Sequence, residues 1–169
     1  AEKFLREIML TAFKHLTIID PYFSEDTAKM FLANLNHDID VDVICTADGF
    51  KTSGTAESFQ KTLDALKSSD CRINTIVAGN GQLHDRFLVI DDEEVWMLGS
   101  SMKTLGDSLS VIVKLKDPVT VIRHLSDVVS SFNAPSLEDW IRKNSICLTK
   151  TSKVFRYLFR FIKPMLYSR

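Results

Sequence analysis

The chain has 169 residues, of which 45% are apolar, 25% charged and 9% aromatic, with six Gly and four Pro; this is the profile of one folded domain and excludes disorder, collagen and coiled coil. A chain of this size can bury about two-thirds of its unfolded surface, so it needs neither disulfides nor a structural metal to fold. Net charge is −1 but unevenly held: all 22 acidic residues fall in 1–140 beside 13 Lys and Arg, whereas 141–169 carries eight Lys and Arg and no acid.

Residues 2–14 space Phe4, Leu5, Ile8, Met9, Ala12 and Phe13 as one stripe of an amphipathic helix. Leu16-Thr17-Ile18-Ile19 is a short apolar, largely β-branched run closed by Asp20-Pro21, a buried strand ending at a loop. Ser24 is an N-cap for a helix through Met30, Phe31 and Leu35, Val41 to Cys45 is the next strand, and Thr46 to Gly54 is a polar loop. Thr55 to Ser69 returns to helical spacing and Ile73 to Val77 to a strand. Strands alternating with helices predict an α/β fold with a mainly parallel sheet flanked by helices. The rhythm then changes. Phe87 to Ile90 and Val95 to Leu98, separated by Asp91-Asp92-Glu93-Glu94, read as a hairpin, and Leu109 to Leu115 as a further strand. Pro118 opens a helix with Val121, Ile122, Leu125, Val128 and Val129 on one face, Ala134-Pro135-Ser136 breaks it, and Ser136 starts another. No internal repeat is present. The organisation expected is one α/β domain over 1–149 and a basic amphipathic extension over 150–169.

Cys45, Cys71 and Cys147 are odd in number and form no C-x-x-C pair, which disfavours a disulfide framework or zinc site and favours a reducing compartment. No apolar run is long enough to span a bilayer and the charged start is no signal peptide, so the expectation is a cytoplasmic protein. The chain opens on Ala1 inside a helical pattern, the expectation being a processed chain or part of a larger polypeptide.

The loop Ala78-Gly79-Asn80-Gly81-Gln82-Leu83 delivers His84 to the mouth of a strand, with Arg86 two residues on and projecting from the same side. Loops at strand ends are where open α/β sheets place ligands. A cation that grips non-bridging oxygens beside an imidazole that attacks phosphorus or moves a proton is a workable phosphodiester site. Gly99-Ser100-Ser101 follows the next strand, where a small residue and hydroxyls let a phosphate approach the backbone. His15, His37 and His124 show no metal-ligand spacing. Trp96 and Phe87 read as core, Asp91 and Asp92 as turn formers, and Asp48, Lys51 and Thr52 as a surface loop.

His84-Asp85-Arg86 with Asp91 seven residues after the histidine, then Gly99-Ser100, resembles the signature H-x-K-x4-D-x6-G-S-x-N of the phospholipase D superfamily, with one extra residue in the hairpin. Ile18-Ile19-Asp20-Pro21-Tyr22-Phe23 is similar to that family's first strand and its exit, and the resemblance spans roughly residues 1–130. It implies a phospholipase D-like half-fold and a phosphohistidine mechanism in the manner of single-motif nucleases. His84 is then the nucleophile, Arg86 takes the place of the phosphate-gripping lysine, Ser100 and Ser101 line the phosphate pocket, and Asp91 is an orienting or structural carboxylate. The family site uses two motifs and this chain has one, which implies a two-fold homodimer and no metal or other cofactor. The chain departs from the signature at Arg86 for lysine and Met102 for asparagine; Asp107 stands near, but out of step with, the family's downstream glutamate. One lost donor at a transition-state site costs about 2.7–4 kcal/mol, so a second reading stays open: a catalytically degenerate domain used for nucleic-acid binding, dimerisation or partner docking.

In the tail, Val154, Leu158, Phe161 and Met165 form one helical stripe and Phe155, Phe159, Ile162 and Leu166 a second, with Lys153, Arg156, Arg160 and Lys163 interspersed. Such a segment suits docking on protein, phosphate contacts with nucleic acid, or a membrane surface. Nucleic acid is the partner preferred for the domain.

Overall fold

A computed structural model describes residues 1–35, 38–51, 55–67, 72–107 and 109–144. The elements are α1 (Glu2–Met9), β1 (His15–Ile19), α2 (Glu25–Leu32), β2 (Asp40–Thr46), α3 (Ala47–Lys51), α4 (Ala56–Leu66), β3 (Ile73–Ala78), β4 (Arg86–Ile90), β5 (Glu94–Leu98), β6 (Ile112–Lys114) and α5 (Pro118–Ser131). Residues 137–144 form a further helical stretch. The boundary expected at 149 and the tail residues Lys153, Arg156, Arg160 and Lys163 lie outside the described residues.

Six strands make one mixed sheet in the order β3-β2-β1-β4-β5-β6. β1 pairs with β2, and β2 with β3, in parallel through the helical crossovers. The sheet is mixed, as expected, and its parallel pairings are confined to that half. β4 runs antiparallel to β1, β5 to β4 and β6 to β5; residues 79–85 carry no crossover helix, and residues 91–93 form only a tight turn between β4 and β5. At the hairpin, Asp91 and Asp92 have φ of +53° and +57° and Glu93 N–H donates to the Ile90 carbonyl at 2.9 Å, the geometry of a type I′ turn.

Local signals set most helix starts. Ser24 accepts from Thr27 N–H, Thr55 and Ser58 form a reciprocal capping box, and Asp117 accepts from Thr120 N–H ahead of Pro118. Two expectations are corrected. α1 ends at Met9, and residues 13–15 turn instead into the Asp91 carboxylate, which takes their amides. The loop expected over 46–54 contains α3, whose Phe50 is buried and stacks on Phe59 with ring centroids 5.9 Å apart.

The main core lies on one sheet face. There Leu16, Ile18, Val43 and Leu88 meet Leu5 and Met9 of α1, Phe31 of α2 and Phe59 and Leu63 of α4; full burial of each such side chain contributes about 1.5–3 kcal/mol. Trp96 packs against this core with an edge contact to Phe4. The opposite face carries α5, none of whose residues is fully buried. Phe87, expected in the core, is half-buried in a groove beside α5, because strand alternation places it opposite Leu88. Among the described residues no helix is long and apolar enough to cross a membrane.

Candidate active site

Strand register brings the sequence-predicted residues to one edge of the sheet. Ile19 lies opposite Phe87, Arg86 opposite Leu98, and Leu98 opposite Ile112. The exit of β1, the start of β4, the exit of β5 and the approach to β6 therefore share one end, with Arg86 opening β4 and His84 in the loop just before it.

Asp20, at the end of β1, joins these loops. It is fully buried. Its Oδ1 accepts from Tyr22 N–H at 3.0 Å, and its Oδ2 accepts from Ser101 Oγ at 2.8 Å and Met102 N–H at 2.7 Å. Burial pushes the Asp20 carboxyl above its ordinary value, against the Tyr22 and Met102 amides, the Ser101 hydroxyl and the Arg86 charge, which all pull it down. Arg86 acts on Asp20 through space: its guanidinium lies over the Tyr22 ring, 5.8 Å from the centroid. Behind the site, burial pushes the Cys45 thiol up to about 12, and the Asp20 charge adds to the effect.

Three buried polar atoms at this edge have no hydrogen-bond partner among the described residues: Arg86 Nε, Ser100 Oγ and Ser110 Oγ. Gly99 N–H donates to the Val111 carbonyl at 2.8 Å, and a Cβ at Gly99 would stand 3.2 Å from Ser110 Oγ, so Ser110 sits against the Gly99-Ser100 turn. A native fold rarely leaves such groups unsatisfied, so each calls for a partner from beyond the described residues. Two hydroxyls and a guanidinium N–H can all donate, which suits an anion with several oxygens. His84, two residues before Arg86, is exposed, makes no hydrogen bond among the described residues and lines a groove under α5 with Phe87, Met97 and His124, leaving both ring nitrogens open to a ligand.

Of the expected site residues, Arg86 and Ser100 lie at the same end of adjacent strands, Arg86 opposite Leu98 and Ser100 two residues beyond it, and His84 precedes Arg86 by two residues. Ser101 is at the same edge, but its hydroxyl is committed to Asp20 and accepts from Lys103 N–H; it supports the pocket instead of lining it. Asp91 lies at the far end of β4, where it accepts from the amides of Phe13, Lys14 and His15 at 2.8–3.0 Å. It cannot orient His84 from there, and only the structural half of its expected role stands. Met102 is buried, and what it offers the site is a backbone amide bonded to Asp20. Asp107 is exposed, with its amide on the Thr104 carbonyl. Asp20 and Ser110 are the site residues that sequence reasoning missed. The first stood in the strand-exit segment Ile18–Phe23 but was given no role; the second is brought in by strand pairing and carries no local signal.

Elsewhere, His15 lies between two carboxylates, with Nε2 3.0 Å from Asp42 and Nδ1 3.7 Å from Asp92, at the opposite end of the sheet. Among the described residues no group of three His, Cys, Asp or Glu side chains is arranged to hold a metal ion.

No family model matches the sequence, and no curated protein matches it. Among solved structures the chain is similar to NucT from Helicobacter pylori, with 16% identity, a TM-score of 0.52, and coverage of 76% of this chain and 84% of that one. It also aligns with TrmBL2, an archaeal chromatin protein, at 15% identity and a TM-score of 0.43, covering 78% of this chain and 48% of that one. The likeness to NucT is one of fold: the chain has the phospholipase D-like α/β arrangement, a six-stranded mixed sheet flanked by helices.

Proposed function

We propose that the chain is a phosphodiester-directed protein, a metal-independent nuclease or phosphodiesterase working through His84. The observation that carries this reading is the set of donors on Arg86, Ser100 and Ser110 that have no partner among the described residues, at the strand end that the His84 loop leads into. The three donors hold the non-bridging oxygens while a His84 ring nitrogen attacks phosphorus. A nitrogen–phosphorus bond forms, the ester bond to the leaving oxygen breaks, and that oxygen takes a proton from a second imidazole. Water then attacks phosphorus and gives its proton back to that second imidazole, the nitrogen–phosphorus bond breaks, and the phosphate monoester leaves with both imidazoles restored. The second imidazole is His84 of another copy, so the working unit is a homodimer. Nucleic acid is the preferred substrate, with the basic segment after residue 150 adding phosphate contacts. Arg86 supplies the same charge as a lysine in a planar fork, which favours gripping two oxygens at once.

The test is cleavage of single- and double-stranded DNA, RNA and a chromogenic phosphodiester in EDTA by the wild type and His84→Ala. The proposal expects turnover that the substitution reduces by at least about a thousandfold, the scale on which loss of a catalytic nucleophile acts, with thermal stability unchanged because the side chain is exposed. Turnover equal in the two proteins overturns it.

A second reading is favoured by Met102, whose side chain is buried in the core and gives the pocket no donor: a catalytically degenerate domain that holds nucleic acid. Absence of turnover with any substrate, together with salt-sensitive binding that survives His84→Ala, selects it.

A further inference from the structure

Asp20 is the one fully buried carboxylate at the site edge, and its bonds do not stay within one loop. Through Oδ1 it fixes the turn that leaves β1, by way of Tyr22 N–H; through Oδ2 it fixes the turn that leaves β5, by way of Ser101 Oγ and Met102 N–H. β4 lies between those two strands in the sheet. The clamp therefore passes over the start of β4, where Arg86 emerges. The surroundings of both unpartnered donors hang on it: Tyr22, over whose ring the Arg86 guanidinium lies, and Ser100, next to Ser101 on the clamped turn. Arg86 makes no direct bond to Asp20, and its Nε is left without a partner.

This is an expensive arrangement for mere packing. A buried carboxylate without a contacting cation costs stability that an apolar side chain at the same place would not. What the carboxylate alone provides is three acceptor bonds aimed in two directions at fixed distance, together with a negative charge that keeps the Arg86 guanidinium at the pocket without consuming its donors. We infer that Asp20 is a positioning residue: it sets the Ser100 hydroxyl and Arg86 Nε at the spacing a phosphate needs, acting through the Ser101–Met102 turn and the Tyr22 backbone without touching the ligand. The inference rests on the phosphodiester reading of the site.

Asparagine is the informative replacement. Its amide group donates where the carboxylate accepted, so a donor faces either the Tyr22 amide or the Met102 amide whichever way the side chain is turned. The experiment follows the Arg86 Nε–H resonance by 15N NMR during titration of the full chain with inorganic phosphate, at a temperature where every variant is folded. In the wild type the resonance shifts saturably. In Asp20→Asn the expected phosphate affinity is about tenfold weaker, the scale of one lost charge-assisted hydrogen bond, with the free resonance already displaced. Ser101→Ala removes one of the bonds to the β5 turn and leaves the charge; it is expected to weaken phosphate by a smaller factor, and it carries the test if Asp20→Asn does not fold. A wild type that binds phosphate and variants that bind it equally well overturn the inference and leave the phosphodiester site standing, since a structural role alone lowers the melting temperature without moving the affinity of the folded protein. A wild-type resonance indifferent to phosphate overturns both.

Discussion

A buried hydroxyl without a partner is a cost of about 1–3 kcal/mol unless something outside the chain completes it, and the molecule holds such hydroxyls in two settings. Ser100 and Ser110 stand at the candidate site, whereas Thr75 is buried on β3 among core residues. Their substitutions should part company. Thr75→Val is expected to raise stability by about 0.5–1 kcal/mol in urea denaturation and to leave phosphate affinity and turnover unchanged. Ser110→Ala should also be neutral or stabilising in the same measurement, yet weaken phosphate or substrate by about tenfold. Equal functional silence of both would remove Ser110 from the site. Cys45 gives a separate check on the packing behind Asp20. With its thiol pushed up to about 12 by burial, it should resist an aromatic disulfide reagent in the native protein at pH 8 and react once guanidinium unfolds the chain, as mapped by peptide mass spectrometry. The fates of single residues were unevenly legible. His84, Arg86 and Ser100 carry a spaced pattern that can be read along the chain. Asp20 and Ser110 matter because of which strands lie beside which, and no local pattern records that.

Among the elements, the ones readable in advance are those whose cause is local: Ser24, Thr55 and Asp117–Pro118 cap their helices through bonds spanning three residues, and Asp91-Asp92 make a turn that tolerates positive φ. α3 was not readable. It has five residues and exists because the chain passes close to the β1 exit, where a Cβ on Gly49 would stand 2.3 Å from the Phe23 carbonyl oxygen. Gly49→Ala must therefore push α3 away from the turn that Asp20 holds. It is expected to cost about 1–3 kcal/mol in a denaturant titration, and to reduce site function beyond what the stability loss explains. The hairpin turn supplies a pH-dependent test. Burial by itself would raise the Asp91 carboxyl, but the His15, Lys14 and Phe13 amides outweigh it and hold it below the ordinary carboxylate value. A carboxyl lowered in the folded state binds its proton less tightly there than in the unfolded chain. Its contribution is thus present above the unfolded value of about 3.9 and is lost as pH falls through the folded value. Asp91→Asn should cost about 1–2 kcal/mol near neutral pH, and the difference from wild type should shrink below about pH 4. A penalty independent of pH would mean that the loss comes from the geometry of the bonds and not from the carboxylate charge.

On the scale of the whole molecule, the two edges of the sheet differ. β3 is covered: Val77 N–H donates to the Pro135 carbonyl and Ile76 bridges to Ser136. β6 is short, and its surroundings are apolar and open, with Leu109, Val111 and Val113 all exposed, the kind of edge that natural sheets cover or blunt. A second copy is the simplest cover, but the way it sits decides the chemistry. If β6 paired with β6 of a two-fold mate, the strands would run antiparallel, and the two His84 residues would lie at opposite ends of one continuous sheet. That assembly is a scaffold and cannot share a phosphate. The phosphohistidine mechanism requires a two-fold that sets the site ends face to face instead. The two arrangements separate in one crosslinking measurement: His84→Cys in a chain whose Cys71 and Cys147 are replaced by serine, treated with a short bis-maleimide at low protein concentration. Cys45 does not interfere, being buried. The mechanism predicts covalent dimers that form with His84→Cys and not with a cysteine in place of Asp92, at the far end of the sheet. Covalent dimers absent at position 84, in a protein that sediments as a dimer, would assign the interface to another surface and leave each imidazole to work alone.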